Sequence, residues 1–247
     1  MTDIPGMAYE LSLILRKLGI SHVSGPVLDL GCGVGGSSKI LLEVLDGLVV
    51  GVDFDFTKLK VARGITGSVT LVCGDAKLLP FRKRCFKLVS LINTLHELEA
   101  ELADSLLDGI RRILTDKGLL LVVDKCSLPR LKPWEEIAIL AEEAYHEARV
   151  AVYGIKLFGV HRPSEVIEFI SLKGYRLMYC GIWRAGRRLS PEEFSKSWGK
   201  KTLQLLEIIK DKKTKERITK LISRIRGLAS KYGYGPVPFL VALFEVL

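Results

Sequence analysis

The sequence is almost free of side-chain amides. Asn93 is the only asparagine and Gln204 the only glutamine among 247 residues, whereas lysine, arginine, glutamate, isoleucine and leucine are abundant. Proteins of hyperthermophiles are depleted in these heat-labile amides and enriched in charged residues. The composition therefore predicts a thermophilic source.

The chain also lacks clustered cysteines. None of its five cysteines forms a C-x-x-C pair, and their number is odd. A disulfide framework, a zinc site or thiol-based arsenic chemistry would need cysteines grouped at short spacings. We therefore expect buried, reduced thiols and no metal site.

Long apolar runs are absent as well, and no stretch reaches the length of a membrane span. The run L-S-L-I-L near the N-terminus is short and is followed directly by Arg16 and Lys17. This pattern is typical of an amphipathic helix and not of a signal peptide. We expect a cytoplasmic protein with no membrane partner. The absence of linkers and repeats favours one domain over residues 1–247.

Acidic residues are scarce in one segment only. Residues 196–231 contain twelve basic and three acidic residues and so account for the whole net charge of +9. Such a segment can bind the phosphate backbone of RNA, with Trp198, Tyr232 and Tyr234 stacking on bases. The alternative is a solvated helix face, because Ile218, Ile222 and similar apolar residues follow helical spacing.

Apolar strands alternate with amphipathic helices through the first half of the chain. Strands are predicted at 27–30, 48–52, 69–73, 86–92 and 118–124, and helices at 7–18, 37–46, 57–64 and 99–114. This alternation predicts a parallel sheet covered on both faces, with residues 20–127 forming the cofactor-binding half. A helical insertion at 128–162 follows, which can be a lid or ordinary packing. A helix after Pro163, a strand at 175–183, a basic helical insertion at 190–235 and a strand at 238–246 complete the chain.

Four glycines in six residues follow the first strand, in the sequence V-L-D-L-G-C-G-V-G-G-S-S of residues 27–38. Gly31, Gly33 and Gly36 fit the dinucleotide pattern G-x-G-x-x-G. However, Asp29 would be a like charge beside a pyrophosphate, whereas it would attract the ammonium and sulfonium groups of S-adenosylmethionine. The carboxylate favours the cationic cofactor, and a nicotinamide cofactor stays the alternative.

Two further carboxylates follow predicted strands. Asp53 ends V-V-G-V-D and can accept hydrogen bonds from the ribose hydroxyls of either cofactor. Asp75, in V-C-G-D-A, can accept a hydrogen bond from an adenine amino group, or it can be a turn or helix-capping residue.

Together these motifs resemble the class I S-adenosylmethionine-dependent methyltransferases. V-L-D-L-G-C-G-V-G-G, V-D-F-D, G-D-A and L-T-D-K-G-L-L-L-V-V-D occur in order between residues 25 and 126. The nearest branch includes quinone-biosynthesis and other small-molecule enzymes, which often carry a leucine-histidine pair such as Leu95 and His96. The resemblance implies a Rossmann-like, doubly wound α/β fold. Its seven-stranded sheet would have the last strand antiparallel beside the fifth.

The resemblance also implies contacts with the cofactor S-adenosylmethionine. Asp29, Gly31 and Gly33 would contact its methionine part, and Leu91 would lie beside the sulfonium. Asp53 would bind the ribose. Phe54 would lie against the adenine, with Asp75 and the backbone of Ala76 at the adenine edge.

Methyl transfer is a direct displacement that needs alignment and exclusion of water, and sometimes a general base. His96 is the best-placed base, although it can also be a packing residue. The D/N-P-P-Y/F motif of many enzymes that methylate exocyclic amines of bases is absent, which disfavours an adenine-N6 enzyme. We expect a small-molecule acceptor. An RNA or other macromolecular acceptor is one alternative, and a nicotinamide-binding or non-catalytic protein is another.

Overall fold

The computed structural model describes residues 4–17, 19, 23, 25–45 and 47–247. These residues form a seven-stranded sheet with the order β3-β2-β1-β4-β5-β7-β6. The strands are β1 (Val27–Leu30), β2 (Val49–Asp53), β3 (Thr70–Cys73), β4 (Phe86–Ile92), β5 (Leu114–Lys125), β6 (Tyr175–Ala185) and β7 (Val237–Val246). Strands β1 to β5 are parallel, whereas β7 runs antiparallel between β5 and β6. The predicted fold class is confirmed.

Helices cover the sheet and follow most of the predicted positions. They are α1 (Ile4–Lys17), α2 (Gly36–Val44), α3 (Phe56–Arg63), a short 3-10 helix (Leu95–Glu97), α4 (Ala100–Ile113), α5 (Pro133–Tyr153), α6 (Pro163–Ser171), α7 (Pro191–Ser197), α8 (Lys200–Ile208) and α9 (Lys212–Tyr232). The predicted last residues of the first two helices, 18 and 46, lie outside the described residues.

The sheet is covered on both faces by apolar side chains. On one face, α4 contributes buried residues such as Leu106 and Ile110, which pack on the strands. On the other face, Leu15 of α1 and Leu41 of α2 form a second apolar cluster with the sheet. All residues of β1 and β2 are buried, as expected for central parallel strands.

Strand β5 is longer than the prediction of 118–124. Leu114 already pairs with Phe86, and a register shift follows between Phe86 and Leu88. Lys117 has a positive φ of 57°. The T-D-K-G sequence, which is typical of a turn, is therefore accommodated as an irregularity within the strand.

The prediction of mainly helical structure over 129–162 is confirmed for α5 only. Gly154, with φ of 72°, ends this helix. The following segment returns to the 3-10 helix, where the N–H groups of Phe158 and Gly159 donate to the carbonyls of Leu98 and His96. These two hydrogen bonds hold the segment after α5 against the loop that follows β4.

Helices α5, α8 and α9 pack on one another and form a third apolar cluster, which we call the helical layer. Ile218, Ile222 and Ile225 of α9 are buried in it, so the predicted apolar face of α9 is confirmed. Two ion pairs join α9 to α5, Arg217 with Glu147 at 2.7 Å and Arg224 with Glu136.

Truncation of Ile222 tests this packing. Ile222 is 3% exposed, so Ile222→Ala should lower the free energy of unfolding by about 2–5 kcal/mol through loss of buried area and a cavity. The control Lys220→Ala, at an exposed position of the same helix, should change it by less than about 0.5 kcal/mol. Urea unfolding measures both values. Equal values for the two variants would contradict the packing of α9.

Candidate functional site

A cleft of about 520 Å³ lies at the carboxyl ends of the parallel strands. One half is formed by the glycine loop, the end of β2 and the start of α3. The other half is formed by residues after β4, together with side chains of α5 and α8. This is the edge of a doubly wound sheet at which ligands generally bind.

The glycine loop turns sharply between β1 and α2. Gly31 and Gly33 have φ values of 79° and 54°, which side chains other than glycine rarely adopt. A Cβ atom at Gly31 would lie 2.5 Å from Cγ2 of Thr94, so this position also lacks space for a side chain. The N–H groups of Gly31 and Cys32 both donate to the carbonyl of Val52, at 2.8 and 3.0 Å. The loop is thereby fixed against β2.

The side chain of Asp29 stabilises the glycine loop from within the core. Its carboxylate is fully buried and accepts hydrogen bonds from the hydroxyls of Ser37 and Ser38, both at 2.6 Å, and of Ser90 at 2.9 Å. Burial raises the pKa of Asp29, while the three serine hydroxyls oppose this shift. The side chain is not part of the cleft wall. In this structure its hydrogen bonds go to the serines, and the contact with methionine that the resemblance implied stays a prediction.

Asp53 lies at the end of β2 and faces the cleft. Its Oδ2 accepts a hydrogen bond from the N–H of Gly33, and its Oδ1 accepts one from the N–H of Asp55, both at 2.8 Å. A carboxylate has about four acceptor positions, so both oxygens can still accept bonds from a ligand. The exposed ring of Phe54 follows it in the cleft wall.

Three other predicted cofactor residues lie outside the cleft wall. Asp75 is exposed, and its carboxylate accepts a hydrogen bond from the N–H of Lys77 at 2.9 Å, as in a turn. Ala76 packs against the core. Leu91 is fully buried in the same core, and its neighbour Ile92 lines the cleft instead. Side chains alternate across a strand, which is the signal that distinguishes these two positions.

His96 lies behind the cleft wall and is 1% exposed. Its Nδ1 is 2.6 Å from Oδ1 of Asp124, and its backbone N–H donates to Oδ2 of the same carboxylate at 2.9 Å. Burial by itself would lower the pKa of His96, but the charge and hydrogen bond of Asp124 raise it overall. Its neighbours Glu97 and Leu98 line the cleft.

A buried polar cluster continues from His96 into α5. Lys125 forms an ion pair with Glu142, whose other carboxylate oxygen is 3.7 Å from Nε2 of His146. Burial alone would raise the pKa of Glu142, but the charge of Lys125 lowers it overall. Burial lowers the pKa of His146 to about 4. The cluster joins β5 to the helix that borders the cleft.

The prediction of buried cysteines is confirmed for Cys32 and Cys126, whereas Cys85 is half-buried and Cys73 and Cys180 are exposed. All five are free thiols, and burial raises the pKa of Cys32 and Cys126 to about 12. Within the described ranges, no group of three or more His, Cys, Asp and Glu residues could hold a metal ion. No helix in the same part of the chain is long and apolar enough to cross a membrane.

Sequence reasoning did not find the cleft residues Asn93, Tyr145, Arg149 and Lys201. Asn93 has a positive φ of 54°. The other three come from α5 and α8, far along the chain from the glycine loop. Their helical spacing gave no signal of a cleft, because only the packing of the helical layer brings them to it.

Comparison with known proteins agrees with this geometry. Residues 27–118 match the sequence model of a family described as methyltransferase domain. An uncharacterized methyltransferase of Synechocystis sp. is 34% identical over 127 residues, which cover 51% of this chain and 59% of that protein. The match thus spans less than two thirds of the curated relative.

Solved structures share the fold across nearly the whole chain. A proposed methyltransferase from Bacillus halodurans C-125 is 20% identical, with a TM-score of 0.61 and coverage of 94% of this chain and 97% of that one. Geranyl diphosphate C-methyltransferase from Streptomyces coelicolor A3(2), whose structure contains S-adenosyl-L-homocysteine, is 14% identical. Its TM-score is 0.55, with coverage of 97% of this chain and 76% of that one. Residues 27–118 therefore match a methyltransferase domain, and the chain shares the fold of these methyltransferases.

Proposed function

We propose that this protein is an S-adenosylmethionine-dependent methyltransferase that acts on a small-molecule acceptor. The observation that carries the proposal is the carboxylate of Asp53, fixed by two backbone N–H groups beside the glycine loop. The oxygens of this carboxylate can accept hydrogen bonds from a ribose in the cleft that the glycine loop lines. The domain match over residues 27–118 supports the activity.

The polar atoms of the cleft suit a cationic cofactor. Asn93 lines the cleft, and its buried side-chain oxygen has no hydrogen-bond partner within the described residues. An unpaired buried acceptor is costly, and an ammonium group would satisfy it. A pyrophosphate carries no donor for it. Asn93 therefore suits the ammonium group of S-adenosylmethionine.

The cofactor would lie across the glycine loop. Gly31 and Gly33 would let the backbone approach its methionine part, Asp53 would accept hydrogen bonds from its ribose hydroxyls, and Phe54 would cover its adenine. The N-terminus of α2 lies in this part of the cleft wall, and its partial positive charge would favour a carboxylate. Asp29 would act indirectly by holding Ser37 at the start of α2.

Once bound, S-adenosylmethionine supplies an activated methyl group, so the chain must align the acceptor and exclude water. Ile92, Leu98 and Tyr145 provide apolar surface for this on the far side of the cleft. We assign His96 a positioning role instead of the predicted role as base, because it fixes the 3-10 helix through Asp124 and does not reach the cleft.

The basic segment gives less support to an RNA acceptor. Its helix α9 buries its apolar face in the helical layer, and Arg217 and Arg224 pair with glutamates of α5. This agrees with the solvated, packed helix that was the alternative to RNA binding. A cytoplasmic location and a thermophilic source stay predictions from the composition.

Transfer of label tests the proposed acceptor class. Purified protein is incubated with methyl-labelled S-adenosylmethionine and a heat-treated extract of a related organism, and RNA, protein and small metabolites are then separated. We expect label in the small-metabolite fraction, since α9 buries its apolar face in the helical layer and two of its arginines are paired. Label in RNA that nuclease removes would contradict the proposal and favour the basic segment as a recognition surface.

Substitution of Asp53 tests the position of the ribose. Asp53→Ala should weaken S-adenosylhomocysteine binding at least about tenfold, because two ribose hydroxyls lose their acceptor. The control Asp75→Ala removes an exposed carboxylate outside the cleft wall, and it should leave the affinity unchanged. Calorimetric titration measures both dissociation constants. Unchanged binding by Asp53→Ala would show that the ribose lies elsewhere, and weakened binding by Asp75→Ala would restore this residue to the adenine site.

A further inference from the structure

Two cationic side chains lie in the cleft on the side opposite the glycine loop. Arg149 comes from α5 and Lys201 from the first turn of α8. Two arginines of α9 are paired with α5, Arg217 with Glu147 and Arg224 with Glu136. Within the described residues, no carboxylate forms an ion pair with Arg149 or Lys201. These two charges therefore stay available to a ligand.

Apolar surface adjoins the two cations. The guanidinium carbon of Arg149 is 6.0 Å from the ring centroid of Tyr145, and the same cleft includes Ile92 and Leu98. Stacking against an aromatic ring restricts an arginine, so less conformational freedom is lost when the guanidinium binds an anion. The far half of the cleft thus combines an aromatic and aliphatic surface with two positive charges.

Acidic groups also face the cleft and must be weighed against these charges. The carboxylates of Asp53 and Asp55 accept backbone hydrogen bonds on the glycine-loop side, and Glu97 lies on the wall after β4. Among the described residues, α5 and α8 themselves contribute no acidic residue to the wall, but Glu97 lies on their half of it. Lys58 of α3 adds one cation on the glycine-loop side. On the other half of the cleft, the two cations Arg149 and Lys201 outnumber the single carboxylate of Glu97.

We propose that Tyr145, Arg149 and Lys201 form an acceptor subsite for an organic anion, in which a carboxylate or phosphate is attached to an apolar body. This inference rests on the proposed function, because the cofactor takes the glycine-loop side of the cleft. The guanidinium of Arg149 can bind two oxygens of the anion, and Lys201 adds a point charge. Tyr145 contacts the apolar body.

This subsite gives part of the basic segment a role in binding a small molecule. Lys201 belongs to the segment 196–231, which carries the whole net charge. The first turn of α8 has no acidic residue, and the partial positive charge of a helix N-terminus adds to the potential at Lys201. The segment would therefore attract an anionic acceptor toward the cleft even if it binds no nucleic acid.

Binding of three probe compounds tests this subsite. Benzoate, phenyl phosphate and the neutral analogue benzamide are titrated calorimetrically into the protein, with and without saturating S-adenosylhomocysteine. We expect at least one anion to bind at least tenfold more tightly than benzamide. The two anions distinguish a carboxylate site from a phosphate site. Equal binding of all three compounds would overturn the proposal.

Substitutions then assign the anion to these residues. Arg149→Gln and Lys201→Gln should each weaken anion binding at least fivefold, and the double variant should bind the anion no better than benzamide. The control Lys213→Gln removes the same charge from an exposed position of α9 and should have no effect. An equal loss of anion binding in Lys213→Gln would show that the effect comes from overall charge, and it would overturn the proposed subsite.

The cofactor titration separates this inference from the proposed function. Arg149→Gln and Lys201→Gln should leave the dissociation constant of S-adenosylhomocysteine within about twofold of the wild-type value. A loss as large as that for the anion would mean that the two cations bind the cofactor's carboxylate, which overturns the acceptor subsite. Failure of the wild-type protein to bind S-adenosylhomocysteine would contradict the proposed function, whereas the titrations without it would still test the anion site.

Discussion

The buried carboxylate of Asp29 is the interaction on which the geometry of the site depends. A carboxylate without solvent is costly unless it is hydrogen-bonded, and three serine hydroxyls satisfy this one. Ser37 and Ser38 come from the start of α2, and Ser90 comes from β4. The carboxylate at the end of β1 therefore fixes both the helix that follows the glycine loop and the neighbouring strand. The hydrogen bond from the N–H of Gly33 to the carboxylate of Asp53 then connects the glycine loop to β2.

A second buried polar cluster determines the other side of the cleft. Asp124 holds the 3-10 helix through His96, and Lys125 pairs with Glu142 of α5. Neighbouring residues of β5 thus position both the segment after β4 and the helix that carries Tyr145 and Arg149. Since charged groups in such a cluster stabilise one another only in a fixed geometry, the cluster limits movement of α5 relative to the sheet. This limits how freely α5 can act as a lid.

Most of the fold could be predicted from the sequence, because apolar strands and amphipathic helices alternate with clear periodicity. The antiparallel position of β7 came from the resemblance and is confirmed by its pairing with β5. The site was less predictable. The motif predicted Asp29 as a cofactor-binding residue, but its three serine partners and its burial depend on the packing of α2 and β4. Leu91 and Ile92 differ only in the face of β4 that each occupies, and Arg149 and Lys201 reach the cleft only through packing of distant helices.

The central claim is that this cleft binds S-adenosylmethionine and not a dinucleotide. Its most direct test is calorimetric titration of the unmodified protein with S-adenosylmethionine and, separately, with NADH. The domain match over residues 27–118 and the unpaired oxygen of Asn93 predict saturable binding of S-adenosylmethionine at one site and no measurable binding of NADH. Saturable binding of NADH without binding of S-adenosylmethionine would contradict the account.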